Sequence, residues 1–242
     1  MKIFLAGASG STGQLLVSQL LRRGHHIVAV VRSIDRLPKG FRTHENLSLV
    51  EASLLDLSDT KLSQLVKDCS AIASCLGHNI SLKGMYGHPR WLVTDAARRL
   101  CMAVKANQPQ TPVRYVLMNT VGNRNPDRDE ELPLKDRIVI GLMRLVLPPQ
   151  KDNEAAAAYL RTEIGQNDEV IEWVAVRPDA LFDEDTVTDY TLHPSPTSSA
   201  IFGDGKTSRI NVAHFMAELI TDDTIWNKWK GQMPVIYNKV SS

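Results

Sequence analysis

Apolar residues fall in short runs along most of this chain, and the gaps between the runs alternate between turn-forming residues and stretches with helical spacing. Ile3–Ala6 is the first run. It stops at Gly7, Gly10 and Gly13 follow at three-residue intervals, and Leu15, Leu16, Leu20 and Leu21 then recur at helical spacing. The pattern predicts strand, tight glycine turn and helix, with Gly24 closing the helix. Further buried strands are predicted at His26–Val31, Leu47–Val50, Ala71–Leu76, Val113–Met118 and Glu172–Val176, the last broken by Arg177–Pro178. Helical patterns cover Thr60–Lys67, Trp91–Ala106, Asn153–Ile164 and Asn211–Ile220, with Asn211 as the expected cap of the last. Any helix between the second and third strands is shortened or lost. A late helix carrying Trp226 and Trp229 and a final segment, Pro234–Tyr237, complete the chain.

Strands that are apolar throughout and alternate with helices predict a parallel sheet covered on both faces. The expected fold class is α/β: one doubly wound domain over residues 1–242 with a small C-terminal substrate-side region. The alternation is interrupted over 123–150. Asn123–Glu131 is polar and turn-rich, and Leu134–Leu147 is amphipathic and ends at Pro148–Pro149. This insertion reads as a lid over the sheet edge or a subunit contact. Asp183–Pro196 reads as an irregular loop and Gly203-Asp204-Gly205 as a turn.

The glycine turn carries the first chemistry. A helix that starts on such a turn leaves its first N–H groups aimed outward, and glycines let the backbone come close to a pyrophosphate. Gly7, Ser9, Gly10, Ser11, Thr12 and Gly13 are the candidate phosphate residues. Their spacing is G-x-x-G-x-x-G rather than the G-x-G-x-x-G of most dinucleotide dehydrogenases. Arg32 and Ser33 stand at the tip of the second strand, where an acidic residue would select NAD through the ribose 2′-OH. Arg32 instead offers a planar donor fork suited to a 2′-phosphate. NADP is therefore expected in preference to NAD, with Asp35 the feature that keeps NAD open. Asp56, followed by Leu57, stands just past the third strand, where it either bonds the adenine amino group or caps the next helix. Gly77, after the fourth strand, leaves room for close passage of a cofactor.

Composition narrows the function classes. With 242 residues, 43% of them apolar and 23% charged, the chain is long enough for a full core. A net charge of +1 without a basic block argues against a nucleic-acid surface. No apolar run is long enough to span a bilayer, and Leu134–Leu147 is too short and too weakly basic for a surface membrane helix. Cys69, Cys75 and Cys101 form an odd set without C-x-x-C spacing, which predicts buried thiols in a reducing compartment. With no secretory signal at the start, the expected location is cytoplasmic. His78, His88 and His193 lie in predicted loops at no metal-ligand spacing, so no metal site is expected. Without a G-x-S-x-G elbow there is no basis for a hydrolase triad. The expected partner is a small-molecule substrate, for a monomer or homodimer that binds neither nucleic acid nor membrane.

With those residues in view, the chain resembles the atypical short-chain dehydrogenase/reductase superfamily, in its NAD(P)H-binding branch of NmrA-like proteins and flavin reductase/biliverdin reductase B types. The resemblance rests on GASGSTG at 7–13, VVRS at 30–33, Asp56-Leu57, CLG at 75–77, MNTVG at 118–122 and VRPDAL at 176–181. It implies a Rossmann-type sheet with the pyrophosphate on the glycine turn and the 2′-phosphate on Arg32. It further implies that Leu76, Gly77, Thr120 and Pro178 line the nicotinamide side. Lys151 and Glu154 match a Lys and a Glu that relatives often place three apart on the helix after the fifth strand.

One departure limits the chemistry. Standard members use Tyr-x-x-x-Lys, in which the lysine makes the tyrosine hydroxyl a better proton donor. Here Tyr159 is followed four residues later by Glu163 and Tyr86 by Arg90, and no Tyr-x-x-x-Lys occurs anywhere in the chain. Thr120, Lys151 and Tyr159 are the candidate catalytic residues that are left. The resemblance to flavin reductases then implies an NADPH-dependent oxidoreductase acting on a small conjugated acceptor, a flavin, quinone or enone, which needs little acid catalysis. The alternative reading is a non-catalytic NADP-sensing regulator of the NmrA-like type, and a further one is an epimerase or isomerase that retains its cofactor.

Overall fold

The computed structural model of the chain describes residues 1–78, 87–130, 135–136, 139–142, 148–199 and 203–239. The apolar runs become the strands β1 (Lys2–Ala6), β2 (His26–Val31), β3 (Leu47–Glu51), β4 (Ala71–Ser74), β5 (Val113–Met118) and β6 (Ile171–Pro178). The helices α1 (Ser11–Arg22), α2 (Asp59–Val66), α3 (Leu92–Ala106) and α4 (Pro148–Tyr159) connect or flank them. After β6 come β7 (Ala180–Phe182), β8 (Tyr190–His193), β9 (Lys206–Ser208), α5 (Arg209–Thr221), α6 (Asp223–Trp229) and β10 (Val235–Asn238).

The main sheet has the order β3-β2-β1-β4-β5-β6-β10-β8, and β7 pairs with β9 beside it. Every neighbouring pair in the main sheet is parallel except β10 with β8. Side chains alternate across a strand, so each apolar strand feeds two cores. Ile3 and Leu5 pack with Leu16 and Leu20 of α1 and with Phe215 and Leu219 of α5. Phe4 and Ala6 pack on the other face with Leu62 of α2, Leu100 of α3 and Ala156 of α4. Each such buried Leu, Ile or Phe side chain contributes about 1.5–3 kcal/mol. Strand order reverses between β1 and β4, and a crevice at the carboxyl ends of such a pair is where open α/β sheets hold ligands.

The link between β2 and β3 is a single 3₁₀ turn, Ile34–Arg36, and a short helical turn, Lys39–Arg42, as the missing periodicity implied. Other features depart from the sequence expectations. Pro148 and Pro149 begin α4 instead of ending the helix before them, because a first turn needs no N–H from those positions. That helix turns into a π segment over Leu160–Ile164. β6 runs through Arg177 and Pro178, whose neighbours Val235 and Ile236 keep the pairing in register. Within the expected loop 183–196 lies β8, which carries His193 and forms the antiparallel edge of the sheet. The cap of α5 is Ser208, whose Oγ accepts from Asn211 N–H, so Asn211 lies inside the helix and bonds Thr188 and Asn238. Of the expected helix over 134–147, residues 135–136 and 139–142 are helical and the others lie outside the described residues, as does Tyr86.

Candidate functional site

The turn between β1 and α1 is built by glycine where packing demands it. Gly7 has φ +83°, and a Cβ there would lie 2.6 Å from the Cys75 carbonyl carbon and oxygen at the end of β4. A Cβ on Gly13 would collide with the Gly7 carbonyl. Gly10 N–H donates to that same carbonyl at 3.1 Å, closing the turn. Gly10 is the N-cap of α1 and, being glycine, offers no side chain to the first N–H groups; the first turn holds no acid. Those donors and the positive end of the helix dipole are therefore open to an anion. Ser9 is half-buried, Ser11 exposed and Thr12 buried around the same turn. This cradle, at the β1/β4 switch point, fits a dinucleotide pyrophosphate.

At the tip of β2, Arg32 is exposed, and among the described residues no hydrogen bond or ion pair holds its guanidinium. Asp35, the acid that kept NAD open, is engaged elsewhere. Arg42 Nη1 lies 3.0 Å from its Oδ1, and Arg42 Nη2 donates to its backbone carbonyl at 2.8 Å. Ser33 is half-buried beside Arg32. Asp56 is exposed on a 3₁₀ turn, Leu54–Asp56, and does not cap α2. Ser58 does, accepting from Lys61 N–H at 3.2 Å. Arg99 of α3 fixes this loop by donating to the carbonyls of Leu55 and Leu57 and to Asp59. Leu57 is half-buried against the adjoining core, so Asp56 and Leu57 are presented at the sheet edge by a braced loop.

At the edge expected to face the nicotinamide, Leu76 packs partly into the core while Gly77 is exposed, and a Cβ added at Gly77 would meet nothing within 4 Å among the described residues. Thr120 follows β5; its N–H donates to Asn119 Oδ1 and its Oγ1 accepts from Gly122 N–H at 3.3 Å. Pro178 is buried at the end of β6, and its carbonyl accepts from Val121 N–H. Gly77, Thr120 and Pro178 thus share the carboxyl edge with the glycine turn.

Lys151 lies in the first turn of α4 but is exposed, without a hydrogen bond or ion pair among the described residues. Glu154 accepts from the Gln150 amide at 2.8 Å. Tyr159 sits two turns further down α4 and is not brought to the edge. Its ring lies under Arg98, 5.4 Å away, and burial beside Cys101 pushes its hydroxyl up to about 12.

Sequence reasoning missed the residue that ties this edge together, Asp152. Asp152 is 0% exposed. Its Oδ2 accepts from Val93 N–H at 2.8 Å and lies 2.8 Å from His78 Nε2. Its Oδ1 accepts from Thr94 N–H at 2.9 Å, with Thr94 Oγ1 at 2.7 Å. Burial opposes the charge of Asp152, but the bonds from His78, Thr94 and the two backbone N–H groups hold its carboxyl below the usual carboxylate range. Asn119 adds a second tie, donating from Nδ2 to the Asn153 carbonyl at 2.8 Å. Helical spacing does not mark Asp152 as buried, because its partners Val93 and Thr94 lie 59 and 58 residues earlier in the chain.

Strand order, switch point and an unblocked helix start on a glycine turn define a Rossmann-type dinucleotide-binding protein. The chain belongs to the NAD(P)H-binding family, whose match runs over residues 7–223. Over 74 residues it is 36% identical to an uncharacterised chloroplastic protein of Arabidopsis thaliana; the match covers 31% of this chain and 26% of that protein. The chain therefore spans about a quarter of that curated relative. Among solved structures, the oxidoreductase ylbE of Lactococcus lactis superposes with a TM-score of 0.70 at 18% identity, over 100% of this chain and 93% of the other. A short-chain dehydrogenase/reductase of Veillonella parvula in complex with NADP gives 0.71 at 17%, over 98% and 94%. A Streptococcus pneumoniae protein described as an NADH-flavin reductase gives 0.66 at 17%, over 99% and 100%. At these identities the likeness is one of fold, a Rossmann-type α/β sheet. Among the described residues no cluster of His, Cys, Asp and Glu could hold a metal ion, and no helix is long and apolar enough to cross a membrane.

Proposed function

We propose that the protein is an NADPH-dependent oxidoreductase that reduces a small conjugated acceptor, such as a flavin, quinone or enone. The observation that carries this reading is the pairing at the adenosine end: Arg32 stands uncommitted while the competing acid, Asp35, is held by Arg42. A guanidinium fork without a carboxylate partner suits a ribose 2′-phosphate and offers nothing to a 2′-OH that needs an acceptor. Bound NADPH would supply hydride. Gly7, Gly10 and Gly13 would let the backbone approach its pyrophosphate, with Ser9, Ser11 and Thr12 as added hydroxyl donors. Leu76, Gly77, Thr120 and Pro178 would line the nicotinamide, and Asp56-Leu57 the adenine.

The choice of acceptor class follows from what is missing. Tyr159 faces Cys101 and Arg98, two turns from the edge, and no lysine follows it at the standard spacing. A conjugated acceptor delocalises the charge that hydride addition creates, so it demands less of the protein than a simple ketone. We place the protein in a reducing compartment such as the cytoplasm. Its three cysteines are free, and burial raises Cys69 to about 11 and Cys75 and Cys101 to about 12, which leaves them as inert thiols. The function is tested by following NADPH oxidation by the purified protein across flavins, quinones and enones. Turnover above the blank with at least one class is expected; rates equal to the blank across all three would sink the proposal and favour an NADP-sensing regulator.

A further inference from the structure

We propose that Gln14 sets the preference for a 2′-phosphorylated cofactor by holding the glycine turn and the turn that follows Arg32 at a fixed spacing. The proposal rests on the NADPH reading above and adds a positioning residue to it. Gln14 stands in the first turn of α1, directly after Gly13, and its own N–H donates to the Gly10 carbonyl at 2.9 Å. Its side-chain Nε2 donates to the Ser9 carbonyl at 3.1 Å and to the Arg36 carbonyl at 3.4 Å. Ser9 belongs to the glycine turn. Arg36 closes the 3₁₀ turn Ile34–Arg36, whose cap is Ser33, the residue after Arg32. One planar amide thus joins the segment assigned to the pyrophosphate to the segment assigned to the 2′-phosphate.

The other contacts of the link between β2 and β3 hold it to itself and to the core. Leu37 is buried, and Ile34 packs partly against the same cluster. Arg42 donates to the carbonyls of Leu37 and Asp35 and pairs with the Asp35 carboxylate. Among the described residues, Gln14 supplies the one hydrogen bond that runs from this link to the glycine turn or to α1. Two carbonyl oxygens within 3.4 Å of one nitrogen repel each other unless a donor stands between them. A glutamine amide supplies two N–H donors there without placing a charge beside the phosphates.

The consequence differs for the two cofactors. On the proposed assignment NADPH engages both segments, its pyrophosphate at the glycine turn and its 2′-phosphate at Arg32, whereas NADH engages only the first. With the spacing fixed, the second contact follows the first at high effective concentration. With the tie cut, the link has to be ordered as the 2′-phosphate docks, and that cost weakens the second contact alone. Gln14 therefore acts on the ratio of the two affinities through Arg32, without itself touching either phosphate.

A calorimetric double-mutant cycle tests this without any turnover, using NADPH and NADH on wild type, Gln14→Met, Arg32→Ala and the double variant. Methionine keeps the length and helix propensity of glutamine and removes both donors. Gln14→Met should weaken NADPH about fivefold to tenfold, the loss of one or two modest hydrogen bonds, and leave NADH within about twofold. In the Arg32→Ala background the same substitution should change NADPH by less than about twofold, because the spacing then serves no contact. Should Gln14→Met fail to fold, Gln14→Leu takes its place in the cycle. Equal losses of NADPH and NADH would overturn the proposal and leave Gln14 as a residue that steadies the helix start. A loss of NADPH that persists in the Arg32→Ala background, or no loss in either, would also overturn it. Arg32→Ala weakening NADPH alone while Gln14→Met weakens neither cofactor sinks the role of Gln14 and spares the NADPH reading. Arg32→Ala weakening both cofactors equally sinks the NADPH reading, and this proposal with it.

Discussion

Arg177 and Glu130 form a two-point ion pair inside the protein: Nη2 lies 2.7 Å from Oε1 and Nη1 3.0 Å from Oε2, with 0% and 3% of the side chains exposed. The guanidinium also donates to the carbonyls of Met233, Asn123 and Pro194. One side chain at the end of β6 thereby fixes the polar loop after β5, the approach to β10 and the segment after β8. Glu130 in turn accepts from Asn125 N–H at 2.7 Å. Glu130→Gln leaves a buried guanidinium without its counter-charge, which costs about 3–5 kcal/mol. The thermal midpoint should fall by roughly 10 °C or more. The more exposed pair Arg209–Asp183, 2.8 Å apart, is the control, and Asp183→Asn should change the midpoint by no more than ~2 °C.

The glycines of the cofactor edge should separate into two kinds. Gly7→Ala forces a Cβ against the Cys75 carbonyl at a positive φ, and Gly13→Ala forces one into the Gly7 carbonyl. Each should destabilise the chain by several kcal/mol, with on the order of 1–3 kcal/mol at Gly7 from its positive φ alone, and abolish NADPH binding. Gly77→Ala meets no atom of the described residues. Its thermal midpoint should match wild type while NADPH affinity drops, because on the proposed assignment the cofactor takes that space. Calorimetry and dye-free thermal unfolding on the three variants separate the cases.

Two buried aspartates should give opposite pH signatures. Asp152 has its carboxyl held low, so the folded state loses a proton more readily than the unfolded chain. Its stabilisation is present above the ordinary carboxylate range and is lost as pH falls through the lowered value. Asp179 is the reverse: burial raises it, with the Ala180 N–H opposing, and its Oδ2 is buried beside Gly205 and Tyr237 without a hydrogen-bond partner among the described residues. Its contribution is favourable below the ordinary range and is lost as pH rises through the raised value. Asp179→Asn should therefore raise the midpoint at neutral pH, by about 2–4 °C for each kcal/mol recovered, and change little in acid. Asp152→Asn should lower it at neutral pH, by an amount that shrinks as pH falls. Thermal unfolding at a series of pH values reads both.

Local pattern was enough for the strands of the parallel core, the glycine turn and the position of Arg32, because each is written within a dozen consecutive residues. What pattern could not reach was decided by contacts distant in sequence. His78 meets Asp152 74 residues later, and Arg177 reaches back 47 to Glu130. β8 was hidden because a four-residue edge strand flanked by acids, prolines and serines carries no alternation of its own; it forms because β10 offers a partner. The caps went the same way. Asp56 and Asn211 each stand within three residues of a serine that does the capping, and Asp, Asn and Ser are all good caps.

The most direct test of the cofactor site is a calorimetric titration of NADPH and NADH into wild type and Arg32→Asp. On the proposed assignment the guanidinium meets only the 2′-phosphate, so the substitution should weaken NADPH at least tenfold more than NADH and bring the two affinities together or reverse them. An equal loss for both cofactors, or none for either, would contradict the assignment of Arg32 and with it the NADPH preference of the site.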